Sequence, residues 1–326
     1  MQTRSLGQSG IQASIVGLGT WGMGGWMWGG TDEQAAISAI QASIDAGVTL
    51  IDTAPAYGLG LSEELVGRAI QGRRDDVILA TKCGLTWHTD EGEHFFEEHG
   101  KAVYRNLRPD AIRYELEQSL KRLKTDRIDL YQTHWQDHTT PIDETMSTLL
   151  DLKKEGKIRA IGVSNIALDE LERYWRVGPV DVAQEKYSML DRELEAELLP
   201  AFQSRGMALL SYSSMALGLL TGKIGPDRQF TGDDQRRNDP RFSLENRQRV
   251  ADLLDQFKPI ASQYTLTLPQ LVIAWTFHQP GVTHVLCGAR NAEQALENAH
   301  AGTIRLSEDA VSTMNDLVQS FATNPI

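Results

Sequence analysis

The chain has 326 residues, with 32 Lys and Arg against 44 Asp and Glu and a formal net charge of -12. Nucleic acid and anionic membrane surfaces both draw on a basic face, so this balance argues against either partner. With 41% apolar and 23% charged residues, no apolar leader, no apolar run long enough to span a membrane, and only Cys83 and Cys287, the composition excludes a disulfide scaffold and predicts a cytoplasmic α/β chain.

Residues 3–12 read as a short hairpin turning around Gly7 and Gly10. Apolar runs of strand length follow at 15–20, 49–54, 77–84, 128–135, 159–165, 181–187, 207–213 and 283–289. Helical period fills the gaps: Ile37, Ile40 and Ile44 recur at three and four, as do Ile112, Leu116, Leu120 and Leu123. Thr31 with Gln34 reads as a capping box, and Thr140 before Pro141, with Asp143 and Glu144, as a second helix start. Gly47, Gly72, Gly156, Gly206 and Gly281 each stand a few residues ahead of a strand, where a left-handed helix cap belongs. Two strand-to-helix connections, 85–107 and 214–243, are long and rich in Gly, His or charge, which puts the large loops at one end of the scaffold. A last helix is expected over 306–321. Strands alternating with helices allow a closed (β/α)8 barrel or an open doubly wound sheet. The count and the length favour a TIM barrel with an N-terminal hairpin and an extra C-terminal helix, with residues 1–326 as one domain.

Gly17-Leu-Gly19-Thr-Trp-Gly22 matches the dinucleotide fingerprint literally. That fingerprint needs a helix at its third glycine and an acidic residue ≈ 20 positions on. Here Met-Gly-Gly-Trp-Met-Trp-Gly-Gly follows, and the nearest fitting acid, Asp52, is about 30 positions away. The segment is better read as an aromatic loop at a barrel mouth, its tryptophans Trp21, Trp26 and Trp28 either lining a pocket or packing the rim.

In a (β/α)8 barrel the C-terminal strand ends form the active-site face. The second, third and fourth strands end near Asp52 and Tyr57, Lys82, and His134. Alone, each has a plain structural explanation: a cap, an ion pair, a core histidine, a loop tyrosine. Together they make coherent chemistry. Tyrosine is a weak acid, with a reference pKa of about 10, and a neighbouring ammonium lowers that value. Lys82 can supply the ammonium, Asp52 can keep it charged when buried, and His134 can orient a carbonyl oxygen. Such a group suits proton donation to an oxygen becoming an alkoxide.

These residues resemble the aldo-keto reductase superfamily along nearly the whole chain. The resemblance rests on Ile-Asp52-Thr-Ala-x-x-Tyr57-Gly with Ser62-Glu63-Glu64, on Lys82, His134 and Gly162-Val-Ser164-Asn165, on Gly-Leu-Leu-Thr-Gly-Lys223 and on Gly288-Ala289-Arg290. It is nearest to the bacterial branch of general-stress aldehyde and glyceraldehyde reductases. The resemblance implies reduction of small aldehydes or ketones by direct hydride transfer from NADPH, without metal, and possible reversal toward polyols. It makes Tyr57 the general acid, tuned by Lys82 and Asp52, with His134 orienting the carbonyl. It assigns Ser164, Asn165 and Gln184 to the carboxamide, Tyr212 to the face of the nicotinamide, and Ser213, Leu217, Gly218 and Lys223 to the pyrophosphate. Arg236 lies over the cofactor. Gly288, Ala289, Arg290, Gln294 and Asn298 belong to the adenosine end, where Arg290 favours the 2′-phosphate of NADP(H). Gly19, Thr20, Trp21 and Asp52 count with the cofactor residues, and Trp21, Trp28, Trp87 and Trp135 are expected to shape the substrate pocket. The chain departs from the family pattern at Ser214, often proline, and at Ala183, often asparagine.

Among other readings, zinc hydrolysis lacks a His-x-His at an early strand end; His88, His94 and His99 stand in the long loop, and His134 with His138 adds one possible pair, short of the three or four ligands that zinc needs. A glycosidase would need two flanking carboxylates. The remaining alternative is a cofactor-binding regulatory subunit of a membrane channel, since relatives with this fold serve that role. A monomer is the expected state of the enzyme.

Overall fold

The chain opens as a hairpin of β1 (Thr3–Ser5) against β2 (Gln12–Ser14), with Gly7 and Gly10 at positive φ in the turn. This computed structural model describes residues 1–322; residues 323–326 of the expected unit lie outside the described residues. β3 (Val16–Gly19) leads through α1 (Glu33–Asp45) to β4 (Leu50–Asp52), and α2 (Leu61–Ala69) leads to β5 (Ile78–Cys83). A small antiparallel sheet follows: β6 (Leu85–Thr86), β7 (Glu93–Glu98) and β8 (Lys101–Arg105). The alternation resumes with α3 (Pro109–Leu123), β9 (Ile128–Thr133), α4 (Ile142–Lys154), β10 (Ile158–Ser164) and α5 (Leu168–Val177). Then come β11 (Val182–Lys186), α6 (Leu198–Ser204), β12 (Ala208–Tyr212), α7 (Leu244–Gln263), α8 (Leu268–His278) and β13 (His284–Gly288). α9 (Ala292–Ala301) and α10 (Glu308–Ala322) end the described chain, and α7 packs on α10. Eight parallel strands close in the order β3-β4-β5-β9-β10-β11-β12-β13, with β13 back against β3. This is the closed (β/α)8 barrel expected from the sequence, with its hairpin and its terminal helix.

Strand side chains alternate between two layers. Ile51, Leu79, Tyr131, Ile161, Ala183, Leu209 and Cys287 pack outward against the helices. Leu50, Ala80, Leu130, Val182 and Leu210 point inward, where Leu6, Ile11 and Ala13 of the hairpin plug the floor. Two residues on, the same inward faces carry Asp52, Lys82, Gln132, Gln184 and Tyr212. The barrel interior therefore changes from apolar at the plugged end to polar at the strand ends. Cys83 and Cys287 are free and buried in the helix-facing layer.

Three local expectations are corrected. The loop expected at 85–107 holds β6, β7 and β8. A register shift between His94 and Phe96 interrupts the alternation of β7, so no unbroken period of two is visible in its sequence. α1 is capped by Asp32, whose side chain accepts the Ala35 N–H at 3.0 Å, not by Thr31. A carboxylate nearer the positive helix end is the stronger acceptor there. Thr140 does not cap α4: its hydroxyl donates to Asp137 Oδ2 at 2.6 Å, and Pro141 takes the cap position. The glycines expected at helix ends, Gly47, Gly72, Gly156, Gly206 and Gly281, all have positive φ. Among the described residues no helix is long and apolar enough to cross a membrane.

Candidate active site

The inward faces of neighbouring strands bring the central ion pair together. Lys82 Nζ donates to Asp52 Oδ1 at 2.6 Å, to the Thr53 carbonyl at 3.0 Å and to the Tyr57 hydroxyl at 3.2 Å. The side chains of Lys82 and Asp52 are 0% and 3% exposed. Asp52 Oδ2 accepts from Gln184 Nε2 at 2.8 Å and from Gln132 Nε2 at 3.2 Å. Burial works against the Lys82 ammonium, but Asp52 and then Tyr57 hold its pKa above the ordinary lysine value. For Tyr57 burial is the largest influence and raises its pKa; Lys82 opposes it without reversing it. The sequence suggests a tyrosine lowered by the ammonium; in the structure burial outweighs Lys82 and holds the Tyr57 pKa above its ordinary value.

Tyr57 is placed by a close backbone approach. A Cβ on Gly58 would lie 2.3 Å from Gly24 O, and a Cβ on Gly24 would lie 2.5 Å from the Tyr57 carbonyl carbon. Ser62 ties the neighbouring strand ends, its hydroxyl 2.7 Å from that of Thr20 and 2.9 Å from that of Thr53. Gly24→Ala should therefore displace the Tyr57 segment. A shift near 1 Å can cost about 10²-fold in rate. We expect kcat to fall by that order with a lowered Tm; unchanged kcat would show that this contact does not position Tyr57.

The His134 ring stands edge-on to Tyr57, centroids 5.5 Å apart at 82°. Burial first, and Lys82 second, hold its pKa well below the ordinary histidine value, so it is a neutral imidazole. Trp21 lies beyond Tyr57 at 6.4 Å and Trp28 crosses Trp21 at 5.2 Å. The arrangement can offer a carbonyl oxygen a phenolic proton and a neutral imidazole.

A cavity of about 800 Å³ runs from these groups across the barrel mouth. Gly19, Thr20 and Trp21 line it at the end of β3, with Ser164, Asn165, Gln184, Tyr212 and Ser213 beside them. The Tyr212 hydroxyl donates to Asn165 Oδ1 at 2.7 Å, and Asn165 Nδ2 donates to the His134 carbonyl at 2.9 Å. Ser164 Oγ donates to the Gln184 carbonyl at 2.7 Å. Glu185, not singled out from the sequence, accepts the Ile166 N–H at 3.0 Å and supports Asn165 at φ 53°. Burial raises its carboxyl pKa to about 8. Ser213, Ala216 and Leu217 also have positive φ, so the loop after β12 is held in a conformation costly for side chains other than glycine. Ser214, where the family often has proline, donates to the Leu286 carbonyl at 3.2 Å and anchors that loop to β13.

Leu217, Gly218 and Lys223 line the far half of the cavity with Arg236, Gly288, Ala289, Arg290, Gln294 and Asn298. The basic groups there are not equivalent. Lys223 Nζ pairs with Glu297 at 2.7 Å. Arg236 makes a two-pronged bond to Asp234, at 2.9 and 2.6 Å, and its guanidinium lies over Trp28. The guanidinium of Arg290 donates to the carbonyls of Trp28, at 3.1 Å, and Gly30, at 2.8 Å. The Arg290 backbone N–H donates to Gln294 Oε1 at 2.8 Å, and Asn298 Nδ2 donates to the Gly288 carbonyl at 3.0 Å. Of the four tryptophans expected at the substrate pocket, Trp21, Trp28 and Trp135 line the cavity. Trp87 does not; it packs beside Leu85 and Val103. Trp26, Phe95 and Phe96 line it in addition. The first reads from sequence as one of two alternatives, and the phenylalanines lie on the sheet that the sequence did not reveal. Among the described residues no group of three or more His, Cys, Asp or Glu gathers where it could hold a metal ion.

A family model described as "Aldo/keto reductase family" matches residues 15–319. The chain is 41% identical to the aldo-keto reductase YhdN of Bacillus subtilis, covering 100% of this chain and 96% of that protein. It is 40% identical to the NADH-specific methylglyoxal reductase of Escherichia coli, over 98% of this chain and 99% of that one. The solved glycerol dehydrogenase AKR11B4 of Gluconobacter oxydans superimposes with a TM-score of 0.89 at 36% identity, covering 99% and 97% of the two chains. This chain belongs to the aldo/keto reductase family, oxidoreductases that reduce small carbonyl compounds with NAD(P)H.

Proposed function

We propose that the chain reduces small aldehydes and ketones with NADPH, with Tyr57 donating the proton. The observation that carries this reading is the buried Lys82 ammonium, bonded at once to Asp52 at 2.6 Å and to the Tyr57 hydroxyl at 3.2 Å. When the Tyr57 proton passes to the carbonyl oxygen, the phenolate left behind faces that ammonium and is stabilised by it. In the reverse direction the phenolate takes the hydroxyl proton, which opens a route from polyols. Neutral His134 orients the carbonyl oxygen without adding a competing charge.

The cleft fits a dinucleotide. Gly19 and Gly288, paired in the barrel, leave bare backbone on its floor, with 3.8 and 3.9 Å to the nearest atom a Cβ would meet. Bound nicotinamide would supply the hydride. Ser164, Asn165 and Gln184 would hold its carboxamide, with Gln184 accepting through Oε1 because Nε2 is committed to Asp52. Tyr212 would hold the ring face, Ser213, Leu217, Gly218 and Lys223 the pyrophosphate, and Gln294 and Asn298 the adenosine. Arg236, clamped by Asp234, would shape the covering loop. Arg290 bonds two neutral carbonyls and has further N–H donors to offer an anion. It is the group we assign to the 2′-phosphate. The small dicarbonyl in the name of the Escherichia coli relative is one substrate of suitable size. We further propose that the chain works as one domain, as a monomer, in the cytoplasm. No feature of the site favours the channel-subunit reading.

The test follows reduced-nicotinamide absorbance over a panel of aldehydes, ketones and polyols with NADPH and NADH. Arg290→Ala should raise the Kd for NADPH about tenfold or more, since a charge-assisted bond is worth about 1.5–3 kcal/mol, with a much smaller change for NADH. Equal losses for the two cofactors would remove Arg290 from the 2′-phosphate.

A further inference from the structure

The substrate end of the cavity is bounded by two rows of aromatic rings. One runs from Trp28 through Trp21 and Tyr57 to His134. The other starts at Trp26, which stacks on Phe96 at 4.9 Å and 19°. Phe96 meets Phe95 at 5.3 Å, and Phe95 meets Trp135 at 5.3 Å. All of these side chains line the same cavity. The rows meet at neighbouring residues, His134 and Trp135, and both begin on the loop after β3. The second row hangs on β7, the strand added between β5 and α3.

This second row is held in place. The Arg105 guanidinium lies over the Phe95 ring at 4.0 Å and over the Trp135 ring at 5.4 Å. Arg105 is mostly buried and faces Glu93 at 3.5 Å. The remaining wall is supplied by Ala56, Leu85 and Met27. Trp26, Trp135, Phe95 and Phe96 present ring surface whose only polar groups are indole N–H donors. A substrate rich in hydroxyls would lose water against these rings and regain few partners. A flat ring would gain stacking and edge contacts on both sides.

Resting on the reductase reading above, we infer that the slot between the two rows selects carbonyl compounds that carry an aromatic ring, with Trp26 and Phe96 as specificity-determining residues. The methylglyoxal reductase of Escherichia coli and the glycerol dehydrogenase of Gluconobacter oxydans are named for small polar compounds, so this inference departs from them.

The experiment compares kcat/KM of the full chain with NADPH for benzaldehyde, phenylacetaldehyde, hexanal, methylglyoxal and glyceraldehyde. The aryl aldehydes should exceed methylglyoxal and glyceraldehyde by at least about tenfold, the size of effect expected from burying a ring. In Phe96→Ala, and in the milder Phe96→Leu, the ratio of phenylacetaldehyde to methylglyoxal should fall at least about threefold, with the greater fall in the alanine variant. Methylglyoxal or glyceraldehyde reduced as well as the aryl aldehydes would overturn the slot and leave the reductase reading intact. Hexanal matching phenylacetaldehyde would reduce the slot to plain apolar surface and overturn the aromatic assignment. Failure to turn over any carbonyl would overturn the reductase reading, and the slot with it.

Discussion

Tyr57→Phe should lower kcat for carbonyl reduction by about 10²–10⁴-fold, the usual contribution of a positioned general acid, while the Kd for NADPH changes by less than about twofold. The substitution removes one oxygen. The ring contacts to Trp21 and His134, and the backbone that carries residue 57, need not move. Lys82 loses one of three acceptors and keeps Asp52 and the Thr53 carbonyl. Single-turnover rates and a fluorescence titration with NADPH separate the two effects. Wild-type turnover in the variant would show that the proton comes from elsewhere. The pH profile of the wild type carries a second check. The acid is active when protonated, and burial holds the Tyr57 pKa above 10.0. His134 is neutral because its pKa lies well below 6.5. The reduction rate should therefore stay flat between those two values. A fall beginning near neutrality would mean that a group of lower pKa donates the proton.

Breaking the Lys82–Asp52 pair should be the most destabilising change in the site. Removing one partner of a buried pair costs about 3–5 kcal/mol, because the other charge is left uncompensated. The two sides are not equal. In Lys82→Met the Asp52 carboxylate keeps amide donors from Gln184 and Gln132. In Asp52→Leu the ammonium keeps only a carbonyl and a phenol, both uncharged. Urea unfolding at pH 7 should rank wild type above Lys82→Met, and Lys82→Met above Asp52→Leu. Both variants should lose most turnover, since each disturbs the group facing Tyr57. The reverse ranking would mean that Asp52, not Lys82, is the group held at a cost. The pH dependence follows from the raised Lys82 pKa. A group bound more tightly in its protonated form stabilises the fold fully below its unfolded value of 10.5 and loses that contribution as pH rises through the folded value. The gap between wild type and Lys82→Met should be constant near neutrality and shrink only in strong alkali.

The residues at strand ends were legible because their signal is local. Asp52, Lys82 and Gln184 each stand two positions beyond an inward apolar residue, and that spacing is written in the chain. The aromatic wall was not legible. Trp87 stands in the long 85–107 connection and reads as a pocket tryptophan, yet it packs beside Leu85 and Val103. Phe95 and Phe96 carry the wall instead, on a strand whose register shift hides its period. The pair Asp234 and Arg236 had a signal, an acid two residues before the arginine, that a search for local clamps would have found. Lys223 and Glu297 had none, being 74 residues apart.

By itself the sequence determined the barrel, its polar rim and the Asp52, Tyr57, Lys82 and His134 set, because strand period, glycine helix ends and strand-end motifs act over a few residues. The tertiary structure decided which cations at the far end pair with carboxylates, which rings face the cavity, and that burial outweighs Lys82 at the Tyr57 hydroxyl. Those outcomes depend on burial and on charges brought together from distant parts of the chain. Both are set only when the barrel closes.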